Sequence, residues 1–338
     1  MKKPFGQLPD GSQVYLYTIT DGRIRAAVTD LGATLVSLWV PDKAGSVADV
    51  VLGFSDAMGY HTRSNGDFGT IGRNANRIRG AEFRIGDKLV KLAANDNGNS
   101  LHSKPDGWDQ RLWTATSHTR ESVTFSLDSP DGDQGFPGNA QVQVTFRVTA
   151  ATLSITYEAV SDAPTLFNMT NHTHFNLAGH HQPQLAQAQQ LTIPGGIFTP
   201  ADAMSIPTGE ERSAAGTPMD FRTPKPIGRD IDADYEPLKL QRGYDHNYVA
   251  AQPVCAVLED LRSGRKMTMS TTAPGIHFYC GNYTEELLGK EGIVYGMRSG
   301  VCLEPQFFPD AVHNPQWAQP IFKAGEPYRM ETTFTFDI

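Results

Sequence analysis

Long apolar runs are missing from this chain. None approaches the ~20 residues a helix needs to cross a bilayer, which excludes a helical membrane protein. Positive charge is in deficit: 29 Lys and Arg stand against 37 Asp and Glu, for a net charge of -8. That balance argues against general binding to nucleic acid or to an anionic membrane surface. Cysteine is scarce. Cys255, Cys280 and Cys302 are odd in number and lack metal-type spacing, so they read as reduced core residues of a cytoplasmic protein. No apolar segment of signal-peptide length follows Met1-Lys2-Lys3-Pro4-Phe5-Gly6, which fits the same expectation. There is no P-loop, no dinucleotide fingerprint around Gly72-Arg73 and no Gly-x-Ser-x-Gly elbow. No internal repeat occurs at a solenoid or propeller period.

Sustained helical periodicity is also lacking, and alternation takes its place. Val142, Val144, Phe146 and Val148 alternate with polar residues, and Leu153, Ile155, Tyr157 and Ala159 do so after Thr149-Ala150-Ala151. This predicts an antiparallel hairpin with one buried face. Trp113 to Leu127 and Met330 to Ile338 are similar. Val14 to Val40 reads as short strands broken at Asp21-Gly22 and Gly32, and Ala81 to Val90 as a hairpin around Gly86-Asp87. Leu185 to Leu191 fits either a short helix or a strand. Thr199 to Tyr244 is long, rich in Pro, Gly and Asp, and has little period; within it, Met219-Asp220-Phe221 and Ile227 look like anchors onto a body. With 32 Gly and 22 Pro for turns, the chain is expected to be all-β, a single large antiparallel β-sandwich. Its 338 residues suggest two domains by length alone, but large all-β folds can stay whole, and one domain over 1–338 is expected.

Leu166 to Leu177 concentrates the candidate chemistry. On a strand, His172 and His174 would share a face with Asn168, Thr170 and Asn176, while Phe167, Met169, Phe175 and Leu177 would share the other with Asn171 and Thr173. The two histidines can be packing residues, metal ligands or a catalytic acid, and spacing does not choose among these. Glu304 stands among apolar residues in Val301-Cys302-Leu303-Glu304-Pro305, where a raised pKa would suit a general base; a salt bridge to an Arg such as Arg77 is the simpler reading. Asn76-Arg77 and Asp245 could grip neighbouring hydroxyls, although Asp245 could equally be a turn residue. His102 lies in a Gly- and Asn-rich loop and could face a site or solvent. Trp108, Phe175, Phe278, Tyr279 and Phe308 could stack on a sugar, but most should be core.

Segments in order along nearly the whole chain resemble the aldose 1-epimerase (galactose mutarotase) family. They are Gly72 to Ile78, Asp131 to Gly138, Asn168 to Gly179, Pro207-Thr208-Gly209, Gly216 to Phe221, Gly243 to Asn247, Gly281-Asn282-Tyr283 and Cys302 to Asp310. The resemblance implies a galactose mutarotase-like supersandwich that interconverts α and β anomers of a free hexose, without a metal or cofactor. It implies His172 as general acid, Glu304 as general base, His102 as a catalytic loop histidine that polarises the ring oxygen or shares the acid role, and Asn76, Arg77, Asp245 and His277 as sugar-binding residues. His174 stands where the family often has Tyr and is placed with that binding set. His277 replaces a usual Gln, Ser103-Lys104-Pro105 replaces Gly-Gly, and Pro305 and Phe307 replace residues that are commonly Thr and His. A monosaccharide is then the expected partner, with no nucleic acid or membrane, and the protein a monomer or homodimer. The rival readings are a cupin-type metal site of His172, His174 and Glu304, a sugar-binding protein without catalysis, and a phosphosugar epimerase in which Lys104 meets phosphate.

Overall fold

The computed structural model describes residues 1–64 and 67–337. Strands dominate, and every pairing between named strands is antiparallel. Lys2–Gln7, Gln13–Thr20, Arg25–Thr29, Thr34–Pro41 and Val47–Asp49 form a five-stranded meander. A nine-stranded sheet is centred on Ala140–Thr149, Thr152–Ser161, Tyr328–Asp337 and Arg265–Thr271. A second five-stranded sheet runs Arg212–Ser213, Ile197–Thr199, Asp245–Val249, Gly275–Tyr279, Cys302–Gln306. One hydrophobic cluster draws on all three, with Ile19 and Val28 from the first, Val144 and Leu153 from the second and Ile276 and Phe278 from the third. Tyr17 meets Phe125 edge-on across two of the sheets at 5.3 Å. The protein is an all-β sandwich.

The predicted hairpin is present as Ala140–Thr149 paired with Thr152–Ser161. Val142, Val144, Phe146 and Val148 are buried and the residues between them face outward. Each such side chain contributes about 1.5–3 kcal/mol on burial. Four of them together rival the ~5–15 kcal/mol net stability of a domain. A one-residue slip would bury Gln141, Gln143, Thr145 and Arg147 instead, so the pattern fixes the register. The turn, Ala150-Ala151, has φ of 50° and 59°, the handedness that a two-residue hairpin needs.

Two short helices, Ala57–Arg63 and Glu236–Leu240, have no counterpart in the sequence reading. The first is capped by Asp56, whose side chain accepts from the Gly59 amide. Neither is long or apolar enough to cross a membrane. Leu185 to Leu191 divides between its two readings, a 3-10 turn over Pro183–Ala188 and then a strand, Gln190–Thr192. Met219, Phe221 and Ile227 are fully buried and anchor the Thr199 to Tyr244 excursion. Phe221 meets Phe278 at 5.4 Å, on the core face of the second five-stranded sheet. All three cysteines are free and buried.

Arg73 ties together two of the segments that carry the resemblance. It is fully buried, and its guanidinium donates to the carbonyls of Ser129, Pro137 and Gly138 and to the hydroxyls of Ser129 and Thr165. Burial lowers its pKa to about 10. Gly72 to Ile78 is thereby fastened to Asp131 to Gly138 by hydrogen bonds, which is structural work.

Candidate active site

Period two on three neighbouring strands builds the floor of a cleft. His277 stands opposite both Asn247 and Glu304, and Tyr279 opposite both Asp245 and Cys302. Residues directly opposite share a face, so Asp245, His277, Tyr279, Cys302 and Glu304 point one way. The intervening Tyr248, Ile276, Phe278 and Leu303 go into the core. A short ladder between Thr170–His172 and Gly69–Ile71 brings in His172. Gly69, its partner, has φ +94°, and a Cβ there would meet Thr34 Oγ1 at 2.6 Å, so a side chain is excluded. The strand ends at His172, earlier than expected. The alternation holds on both sides of that end, with Phe167, Met169, Phe175 and Leu177 all in the core.

The loop residues arrive through a third ladder, in which Leu101 pairs with Arg77. Asn76 and His102 follow at its end with φ of 61° and 56°. The Asn76 amide donates to His102 Nδ1 at 3.1 Å. Neutral His102 therefore carries its proton on Nε2. Burial first, then the charges of Lys104 and Arg77, push its pKa well below the ordinary imidazole value, so it is a neutral donor.

The cleft has a volume of about 300 Å³, at the small end of the roughly 300–1,000 Å³ typical of ligand sites. Asn76, Arg77, His102, His172, Asp245, His277 and Glu304 all line it. These residues are scattered over 229 positions of sequence, from 76 to 304 inclusive. His174 does not line it. Its ring stacks on His172 at 5.2 Å, and its Nε2 lies 3.0 Å from the Asp67 carbonyl oxygen. It backs the His172 ring and lines a neighbouring cavity of about 410 Å³ with Asp67, Phe68 and Tyr283, apart from the other candidate binding residues.

Arg77 is not paired with Glu304. Its Nε donates to Asp96 at 2.7 Å. Glu304 Oε1 instead lies 3.6 Å from His172 Nε2, and both side chains are buried. Burial, then the nearby Asp245 and Asp67, raises the Glu304 pKa well above that of an ordinary carboxyl. Burial, then the neighbouring histidines His174 and His102, lowers His172 well below an ordinary imidazole. The two groups are pushed toward the neutral pair, sharing one proton between them. Cys302 Sγ lies 3.5 Å from the other nitrogen of His172, Nδ1. Burial, then Glu304, pushes its thiol well up, so it stays protonated beside that ring.

Asp245 accepts from His277 Nε2 at 2.6 Å. Burial alone would raise the Asp245 pKa, but the His277 bond and charge outweigh it and hold the carboxyl below its usual value. This leaves His277 Nδ1 buried without a protein partner among the described residues, as is Glu304 Oε2. Both atoms can serve a ligand hydroxyl.

For a metal, the donors that gather are His172, His174 and Cys302, within 4.8 Å of one another; the cupin-type reading required Glu304 as the third. Glu304 is not in that set, so the triad of the cupin-type reading is not assembled among the described residues.

Among the lining residues to which sequence reasoning gave no role are Asp67, Asp96, Asn97 and Tyr283. Asp67, whose pKa burial raises to about 6, and Asp96 both lie in Gly- and Asn-rich stretches that read as turns. Tyr283 was within a recurrent segment but had no chemistry attached. The Thr199 to Tyr244 excursion supplies Ala203, Met204 and Ser205 to the rim.

The profile of the family described as aldose 1-epimerase matches residues 15–335. The chain belongs to the aldose 1-epimerase family. It is 37% identical over 340 residues to the galactose mutarotase of Homo sapiens, covering 99% of this chain and 97% of that one. It is 34% identical to the aldose 1-epimerase of Escherichia coli K12, covering 97% and 96%. Among solved structures, a galactose 1-epimerase from Lactobacillus acidophilus superposes with a TM-score of 0.86 at 27% identity, covering 100% of this chain and 98% of the other. An aldose epimerase homologue from C. elegans gives 0.87 at 29%, covering 95% and 98%. Aldose 1-epimerases are isomerases, and the all-β architecture of this chain is that of the family.

Proposed function

We propose that the cleft takes one free aldose and interconverts its α and β anomers by ring opening and closure, with Glu304 as base and His172 as acid. The observation that carries this reading is the buried, side-by-side placement of His172 Nε2 and Glu304 Oε1 at 3.6 Å. Opening a hemiacetal removes a proton from O1 and delivers one to the ring oxygen. Both oxygens are bonded to C1, so the acid and the base must be neighbours.

The proton count is conserved. In the cyclic complex the pair reacts as protonated His172 and ionised Glu304. Glu304 takes the O1 proton while His172 gives its own to the ring oxygen. The C1–O5 electron pair leaves with the ring oxygen, and the O1–H pair becomes the carbonyl bond. The open aldehyde then faces a neutral imidazole and a neutral carboxyl, the state that burial favours. Rotation about C1–C2 presents the other face, and closure reverses both transfers. Each positioned group of this kind contributes on the order of 10²–10⁴ in rate.

His102, neutral with its proton on Nε2, polarises the ring oxygen without carrying charge. Arg77, Asn76 and the Asp245–His277 pair hold hydroxyls while C1 moves. Galactose, named for the relatives, is one substrate; of the changed residues His277 lines the cleft, which makes the ranking of sugars a property of this chain. Polarimetry on fresh α-galactose, α-glucose, xylose and arabinose tests the reading. Faster relaxation with the native protein, lost in Glu304→Gln, is expected. Unchanged relaxation for every sugar would overturn it.

A further inference from the structure

A second set of donors gathers outside the cleft, where the turn after Leu177 meets the turn at 290–292. His180 is buried, and its Nδ1 lies 3.0 Å from the hydroxyl of buried Tyr295. That contact occupies one ring nitrogen and leaves Nε2 directed at Glu291, 4.0 Å from Oε1. His181 Nε2 lies 2.9 Å from Glu291 Oε2. The two imidazole rings are 3.9 Å apart. One ligand atom from each of the three residues lies within 4.8 Å of the others, and none of the three lines the cleft.

An exposed His–Glu ion pair would account for His181 and Glu291 alone. It does not account for a buried histidine held by a tyrosine hydroxyl with its free nitrogen turned to the same carboxylate. The backbone of Glu291 is fixed as well, since its amide donates to Ser55 Oγ at 3.0 Å. The adjacent Lys290 ammonium is paired with Asp49 at 2.5 Å and also donates to the Val36 carbonyl, so its charge is balanced.

We propose that His180, His181 and Glu291 bind one divalent transition-metal ion, with water completing its coordination. Two imidazoles and one carboxylate suit zinc, nickel or copper rather than magnesium or calcium, which prefer all-oxygen sites. Bonds of about 2.0–2.2 Å in a tetrahedral site separate the ligand atoms by roughly 3.3 Å. The observed 2.9 Å from His181 to Oε2 and 4.0 Å from His180 to Oε1 lie on either side of that value. His181 and Glu291 are exposed and free to adjust, while His180 is preset. The Tyr295 hydroxyl supplies the outer contact that orients a ligating histidine. A bound ion would tie the segment that follows Leu177 to the 290–292 turn. This inference does not depend on the aldose reading.

The test uses the full chain without a histidine tag, stripped with EDTA, dialysed, and titrated calorimetrically with zinc chloride and nickel chloride. Saturable uptake of one ion per chain at micromolar metal is expected. His181→Ala and Glu291→Gln, both at exposed positions, should weaken it about tenfold or more, with anomer exchange and the circular dichroism spectrum unchanged. Zinc should raise the melting temperature of the native protein and not of the variants. No saturable uptake, equal uptake by the variants, or magnesium binding as tight as zinc would each overturn the proposal. Uptake lost in Cys302→Ser instead would place the ion beside His172 and overturn it too.

Discussion

Replacing Glu304 by Gln should abolish most activity and yet stabilise the protein at neutral and alkaline pH. Gln keeps the shape and polarity of the side chain but cannot take the O1 proton, so kcat should fall on the order of 10²–10⁴-fold. On the proposed reading sugar binding rests on Arg77, Asp245 and His277 and should change little. The stability effect follows from burial. The Glu304 pKa is raised in the folded protein, so the folded state binds its proton more tightly than the unfolded chain. The stabilisation that this provides is present below the unfolded carboxyl pKa and is lost as pH rises through the folded value. Above that window the native protein carries the cost of a buried charge, about 1.4 kcal/mol for each unit by which the pKa is raised. Gln carries no such cost. Glu304→Gln should therefore melt higher than the native protein at pH 8 by a few degrees, and the difference should shrink toward pH 4. Polarimetry measures the first effect and thermal melts across pH the second. Substantial residual turnover would place the base elsewhere. A variant that melts lower at every pH would show Glu304 to be structural and refute the burial argument.

On the proposed mechanism the His172–Glu304 pair holds one proton, so kcat for the native protein should be bell-shaped in pH. The acid limb, where His172 and Glu304 are both protonated, should fall below the ordinary imidazole value, and the alkaline limb above the ordinary carboxyl value; these limbs belong to the pair. Asp245→Asn removes a charge-assisted bond of about 1.5–3 kcal/mol to His277, and KM should rise about ten- to a hundredfold with a smaller change in kcat. Arg73→Met leaves at least three buried carbonyls unpaired at about 1–3 kcal/mol each, so the variant should be recovered largely unfolded, as circular dichroism would show. Ala150→Gly relieves left-handed strain of about 1–2 kcal/mol against a glycine entropy cost of about 0.5–1 kcal/mol. The melting temperature should rise slightly, with no change in rate.

Much of the fold was legible because alternation is a local property. The Ala140 to Ser161 hairpin could be drawn from its own residues, with its buried face and its turn. The short helices could not. Ala57–Arg63 has only seven residues, too few to stand out by period, and it is held by the Asp56 cap and by Tyr60 packing on Phe54 at 5.1 Å. Leu185 to Leu191 was ambiguous because it contains parts of two elements. The site residues were named by order along the chain and by resemblance. Their spacing alone left His172 among three roles and favoured a salt bridge for Glu304.

The sequence by itself determined an all-β chain, its strand faces, and the residue types available for acid, base and hydroxyl recognition. Those follow from side-chain period and chemistry, which need no distant partner. Only the tertiary structure decided which of these residues meet. It set Glu304 beside His172 rather than Arg77, paired Arg77 with Asp96, and stacked His174 on His172 beside a neighbouring cavity. Those outcomes depend on the register between strands far apart in the chain. The displaced pKa values depend on burial, which exists only once the sheets have packed.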